Sequence, residues 1–118
     1  MSSNNGLKSL RVWNDSVAFS KSIFIEISSI PNFVVRDQLI RCLLSIPSNI
    51  AEGYGRHSKK EFSRFLKISL GSCYELITQL EIIRDSDLSE NIDTDAVLEK
   101  AIFIASSLTA LIRFKDSN

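Results

Sequence analysis

The chain has 118 residues, 14 Lys/Arg balanced by 14 Asp/Glu, two cysteines and 44% apolar residues. That length buries a core without disulfides or metals and is too short for two ordinary domains, while the zero charge balance gives no overall excess to hold a polyanion. No apolar run approaches the roughly 18 residues of a membrane span, and Met1 to Gly6 is polar and uncharged rather than basic and then apolar, so the expectation is a cytoplasmic protein with reduced thiols.

The first helix is predicted from about Leu10 to Ser29, with Trp13, Val17, Ser20, Phe24 and Ile27 as its buried seam. Pro31 ends it. The second begins near Val34 and reaches Glu52 through Pro47. Proline lacks an N–H and crowds the Leu43 carbonyl, yet the apolar phase set by Leu39, Leu43 and Ile46 resumes at Ile50, so a continuous but bent helix is predicted. Gly53 and Gly55 are expected to turn the chain off this helix through positive φ. Ser58 and Glu61 have capping-box spacing and open a third helix whose seam is Phe62, Leu66, Ser69, Cys73, Leu76, Leu80 and Ile83, stopping near Asp85. The fourth runs from about Thr94 to Arg113 on Leu98, Ala101, Ala105, Leu108 and Ile112. The flanks, Met1 to Gly6 and Asp116 to Asn118, are expected to fray. Short connections between helices of about 30 Å favour antiparallel neighbours, so the fold class is all-α, an up-down-up-down four-helix bundle forming a single domain over 1–118 with its ordered core at about 10–115.

Enzyme chemistry finds little support. A di-iron bundle needs two Glu-x-x-His pairs, but His57 is the sole histidine. Cys42 and Cys73 sit singly in apolar helix patterns and lack the clustering of a thiolate metal site. Gly53-Tyr54-Gly55 is too short for a dinucleotide fingerprint and follows a helix rather than a strand. Asn49 and Glu52 share a face with Ser45 and have no partner acid or nucleophile, so a structural role is expected, the amide and carboxylate satisfying one another or pairing with Arg41, Arg56 or a neighbouring subunit; Glu75 reads the same way. No catalytic residue, cofactor or metal is expected.

Two features point to assembly and to a polyanion. The apolar arc of the second helix, from Cys42 through Leu39, Ile50 and Pro47 to Ala51 and Leu44, spans roughly 200°, twice the stripe a surface helix of a globular protein needs. Ile40, Leu44 and the mid-helix Gly71, which lies opposite the third-helix seam, are therefore candidate contacts with a second copy. Charge is also ordered along the chain. From Arg36 to Lys67 stand Arg36, Arg41, Arg56, Lys59, Lys60, Arg64 and Lys67 against Asp37, Glu52 and Glu61, whereas Ile68 to Glu99 holds Arg84 against eight acids. The run Arg56-His57-Ser58-Lys59-Lys60 at a helix start, supported by Arg41, Arg64 and Lys67, is the candidate phosphate contact, although exposed turns often carry basic residues merely for solvation. Tyr54, at the end of the apolar arc, is expected to be packed rather than free to stack on a base.

The segment Ser45-Ile46-Pro47-Ser48-Asn49-Ile50-Ala51-Glu52-Gly53-Tyr54-Gly55-Arg56 closely resembles the signature of small bundle proteins encoded in bacterial intervening sequences of large-subunit ribosomal RNA genes. Val12-Trp13, Glu61-Phe62, Phe65-Leu66, Gly71-Ser72, Glu75-Leu76 and Gln79-Leu80 extend the resemblance from about Leu10 to Phe114. Ile40 departs from it, standing where the family usually has an arginine beside Arg41, and the segment from Pro31 to Gln38 looks shorter. The resemblance implies a four-helix bundle, a ring-shaped homopentamer and an association with ribosomal or other structured RNA. Related accessory proteins of diversity-generating reverse transcriptases imply the alternative of a scaffold that assists a nucleic-acid enzyme.

Overall fold

The computed structural model describes residues 4–117, a short helix α1 (Asn4–Lys8) and four long ones, α2 (Arg11–Ser28), α3 (Phe33–Gly55), α4 (Lys59–Ile83) and α5 (Thr94–Asp116), with a 3-10 turn at Asp87–Ser89. Three long helices begin at a side chain that accepts otherwise orphaned backbone N–H groups. Asn32 accepts from Val34 and Val35 at 3.1 Å, Ser58 from Glu61 at 3.3 Å and Asp93 from Ala96 at 3.2 Å. α2 starts differently, at Leu10. There the Asn14 amide donates to the carbonyls of Lys8 and Leu10 at 2.7 and 2.9 Å, tying α1 to its first turn.

The long helices pack in the order α2–α3, α3–α4, α4–α5 and α5–α2, so each touches its two chain neighbours or, for the outer pair, closes the square. Ile27, Leu39, Leu43, Ile46, Ile50, Leu66, Leu76, Leu80, Ile104 and Leu108 fill the centre and are fully buried. At roughly 25 cal/mol per Å² of apolar surface, such side chains supply the main drive for folding. Every predicted seam residue of the third and fourth helices is buried.

The first seam matches the expectation at Ser20 and Ile27, both buried, and is shifted by one position elsewhere. Val12, Ser16, Phe19 and Ile23 are buried beside them, whereas the expected Trp13 and Val17 are half-buried and Phe24 is 36% exposed. Ser16 can occupy the interior because its hydroxyl donates to the Trp13 carbonyl at 2.8 Å, removing the cost that made a larger apolar residue look preferable there.

Pro47 lies inside a continuous α3, as its apolar phase predicts. The exit from that helix is not made by positive-φ glycine. His57 takes the left-handed conformation at φ 54°, and no described glycine has positive φ. Gly53 serves packing instead: a Cβ there would stand 2.6 Å from Phe65 Cβ. Within the flanks, Asn4 to Gly6 belong to α1, and Asp116 closes α5 by accepting from Ser63 and pairing with Lys67 at 3.1 Å. Met1–Ser3 and Asn118 lie outside the described residues.

Candidate nucleic-acid interface

Antiparallel packing brings the start of α2, the end of α3, the start of α4 and the end of α5 together. Three cross-helix contacts fix this end: Gly53 against Phe62 and Phe65, Lys67 with Asp116 at 3.1 Å, and the Lys115 ammonium 5.3 Å from the centre of the Phe62 ring. The half-bundle at this end carries Lys8, Arg11, Arg56, Lys59, Lys60, Arg64, Lys67, Arg113 and Lys115, nine cations, against Asp15, Glu52, Glu61 and Asp116. The other half holds five cations, Lys21, Arg36, Arg41, Arg84 and Lys100, against ten acids. A chain of zero net charge is thus strongly bipolar, about +5 and −5 by halves.

Within the basic end the predicted residues differ in availability. Arg56 pairs with Glu52 at 3.2 Å and Arg64 with Glu61 through two hydrogen bonds of 3.0 and 3.1 Å. Both guanidinium groups stack on the Phe65 ring, 5.1 and 4.4 Å from its centre, which holds them extended along the surface. The Arg64 contact draws the Glu61 carboxyl below its ordinary range. His57, Lys59 and Lys60 are exposed and form no ion pair among the described residues. Arg41 stands apart: on α3, fifteen residues before the capping Arg56, it is about 22 Å away along the axis, near Gln38 at 2.7 Å and Glu75 at 4.0 Å.

The polar stripe of α3 faces α4. Ser45 and Ser72 share a hydroxyl hydrogen bond of 2.7 Å, and Asn49 donates to both the Ser45 hydroxyl and its carbonyl at 2.8 Å. Ser69 donates to the Ile46 carbonyl at 2.8 Å, just ahead of Pro47. These bonds are internal to the chain, and Glu52 answers Arg56 rather than Asn49. No acid, base and nucleophile converge there. Cys42 and Cys73 are free and buried, and burial pushes the Cys73 thiol up to about 12. Among the described residues no group of three His, Cys, Asp or Glu side chains could hold a metal ion, and no helix is long and apolar enough to cross a membrane.

The candidate self-contact residues lie outside the core. Leu44 is 43% exposed, Ile40 is half-buried against the core, and a Cβ at Gly71 would meet nothing within 4 Å.

The model of the 23S rRNA-intervening sequence protein family matches residues 8–110. The chain belongs to this family. A crystal structure of a protein of unknown function from the S23 ribosomal protein family of Bacteroides thetaiotaomicron is similar in fold, with a TM-score of 0.79 and 24% identity over 86% of this chain and 95% of that one. Comparison with curated proteins gives no match.

In this intervening-sequence family member the basic turn is local in sequence, but four of the nine cations of the basic end are not. Lys8, Arg11, Arg113 and Lys115 are distant from the turn in sequence and reach it through topology. The up-down-up-down order is itself a signal, because it places the start of α2 and the end of α5 beside the second connection.

Proposed function

We propose that this chain is a non-enzymatic, cytoplasmic, homo-oligomeric bundle protein that binds ribosomal or other structured RNA through its basic end. The observation that carries the reading is the bipolar charge, nine cations against four acids where four helix ends converge. Identical subunits in a ring, a pentamer by family resemblance, present that end repeatedly on one rim and repel RNA from the other; repetition adds avidity to an individually weak contact. Membership in a family described by intervening sequences of 23S rRNA makes ribosomal RNA the first RNA to try.

The test is binding of a structured RNA as salt is raised. Phosphate contacts make log K fall linearly with log salt, and each phosphate that is no longer neutralised reduces the slope by roughly 0.7 to 0.9. Replacing Arg56, Lys59 and Lys60 together by Ser abolishes binding at moderate salt and leaves oligomer size unchanged. Equal binding by variant and parent removes this surface. Absence of binding by the parent favours the second reading, a scaffold or accessory subunit of a nucleic-acid enzyme such as a reverse transcriptase, for which the exposed Ile25, Ile82 and Phe103, at 76, 74 and 58%, are the supporting observation.

A further inference from the structure

At the basic end a cleft of about 280 Å³ opens between the α3–α4 turn, the start of α2 and the end of α5, bounded by Leu10, Tyr54, His57, Lys59, Phe62 and Lys115. Its chemistry is one-sided. Two ammonium groups and an imidazole line it together with aromatic rings, and no carboxylate does. Lys59 and Lys115 form no ion pair among the described residues, so neither charge is neutralised from within. The Tyr54 ring is held in place: Phe62 meets it edge-on at 6.2 Å between centres, His57 lies tilted at 6.2 Å, and the α1 backbone at Gly6 sits so close to its hydroxyl that a Cβ there would overlap the oxygen. Tyr54 is half-buried rather than sealed in the core, which leaves part of its surface to the cleft.

We infer that this cleft seats one unpaired nucleotide of the bound RNA, its base against the Tyr54 and His57 rings and its phosphate between the Lys59 and Lys115 ammonium groups. The inference rests on the RNA-binding reading above. Fixed aromatic rings beside cations suit a base and its phosphate, since every base offers a π-face, whereas an acidic peptide would use the cations and leave the rings idle. The volume lies near the roughly 300 Å³ lower bound of small-ligand pockets, room for one extruded nucleotide and too little for a duplex.

The test titrates the full chain with two RNA hairpins of identical stem, one blunt and one with a short unpaired 3′ extension. The parent prefers the extended hairpin by about tenfold, the scale of stacking one base on an aromatic side chain. Tyr54→Leu, which keeps an apolar body without a π-face, brings the ratio to about one while blunt-hairpin affinity and its salt slope stay as in the parent. Should that variant fail to fold, Lys115→Ser retains the aromatic wall and lowers the ratio several-fold. No preference in the parent, or a preference that survives both substitutions, overturns the inference and leaves the RNA reading standing. Failure of the parent to bind either hairpin overturns both. Adenosine monophosphate provides the free-nucleotide arm: Tyr54-dependent binding of it with no effect of the extension assigns the cleft to free nucleotides and overturns the inference as stated.

Discussion

Ser45 on α3 and Ser72 on α4 face each other across the helix interface with their hydroxyl oxygens 2.7 Å apart. The pair converts what looks in sequence like an unused polar face into a seam between helices, with Asn49 donating to Ser45 from one side and Ser69 bonded to the Ile46 carbonyl from the other. A partly buried hydroxyl deprived of its partner bears its own desolvation cost, about 1 kcal/mol or more. Ser45→Ala and Ser72→Ala are therefore expected to be non-additive in urea denaturation, the double variant costing less than the sum by about 1 kcal/mol. Strict additivity would show that the two hydroxyls act independently.

The four glycines separate into those that touch something and those that do not. At Gly53 an added methyl would lie 2.6 Å from Phe65 Cβ and 3.3 Å from the Phe62 carbonyl oxygen, both close to the α4 backbone. Gly53→Ala is expected to destabilise the bundle by about 1 to 3 kcal/mol despite the better helix propensity of alanine. Gly71 has open space. Gly71→Ala should raise the stability of the dissociated subunit by up to about 1 kcal/mol and weaken assembly if a second copy approaches that helix closely. Denaturation at a dilution where subunits are separate, set beside sedimentation at high concentration, measures both effects.

How much of this was legible in the sequence follows the strength of the local signal. The seams of α4 and α5 are long, apolar and in phase, so Leu66, Leu76 and Leu108 declare themselves. α2 misled because Trp13 and Phe24 are the conspicuous residues, while the interior takes Ser16, whose hydroxyl is satisfied by its own helix. Gly53 and Gly55 suggested a turn by conformational freedom, but the left-handed residue is His57, and nothing local reveals that Gly53 is required by Phe65 twelve residues on. The basic turn was readable from Arg56 to Lys60, whereas the contribution of Lys8 and Lys115 depends on which helix ends meet.

Asp116 links the end of α5 to α4. The Ser63 hydroxyl, and then Lys67, hold its carboxyl below the ordinary aspartate range. A carboxyl whose pKa is lower in the folded than in the unfolded chain contributes stability that is complete above the unfolded value, near pH 4, and disappears as pH falls through the folded value. Asp116→Asn should therefore be less stable than the parent at pH 7, with the gap closing below about pH 4. A gap of constant size down to pH 2 would mean that the carboxylate charge is not what Ser63 and Lys67 recognise.

Leu44 decides whether the wide apolar arc of α3 is a subunit contact. At 43% exposure it stands on the arc beside Ile40 and Pro47, both half-buried, and outside the fully buried set that holds the bundle together. A glutamate there remains hydrated in a separated subunit, so Leu44→Glu should leave helicity unchanged and cost less than about 0.5 kcal/mol of subunit stability, as exposed substitutions commonly do. In an assembly the same carboxylate is taken out of water without a partner, and an unpaired buried charge costs several kcal/mol. Light scattering should accordingly report a shift from oligomer to monomer mass with an unaltered far-ultraviolet circular dichroism spectrum. Retention of the parent mass would remove Leu44 from the interface, and loss of helicity would place it among the residues the subunit needs in order to fold.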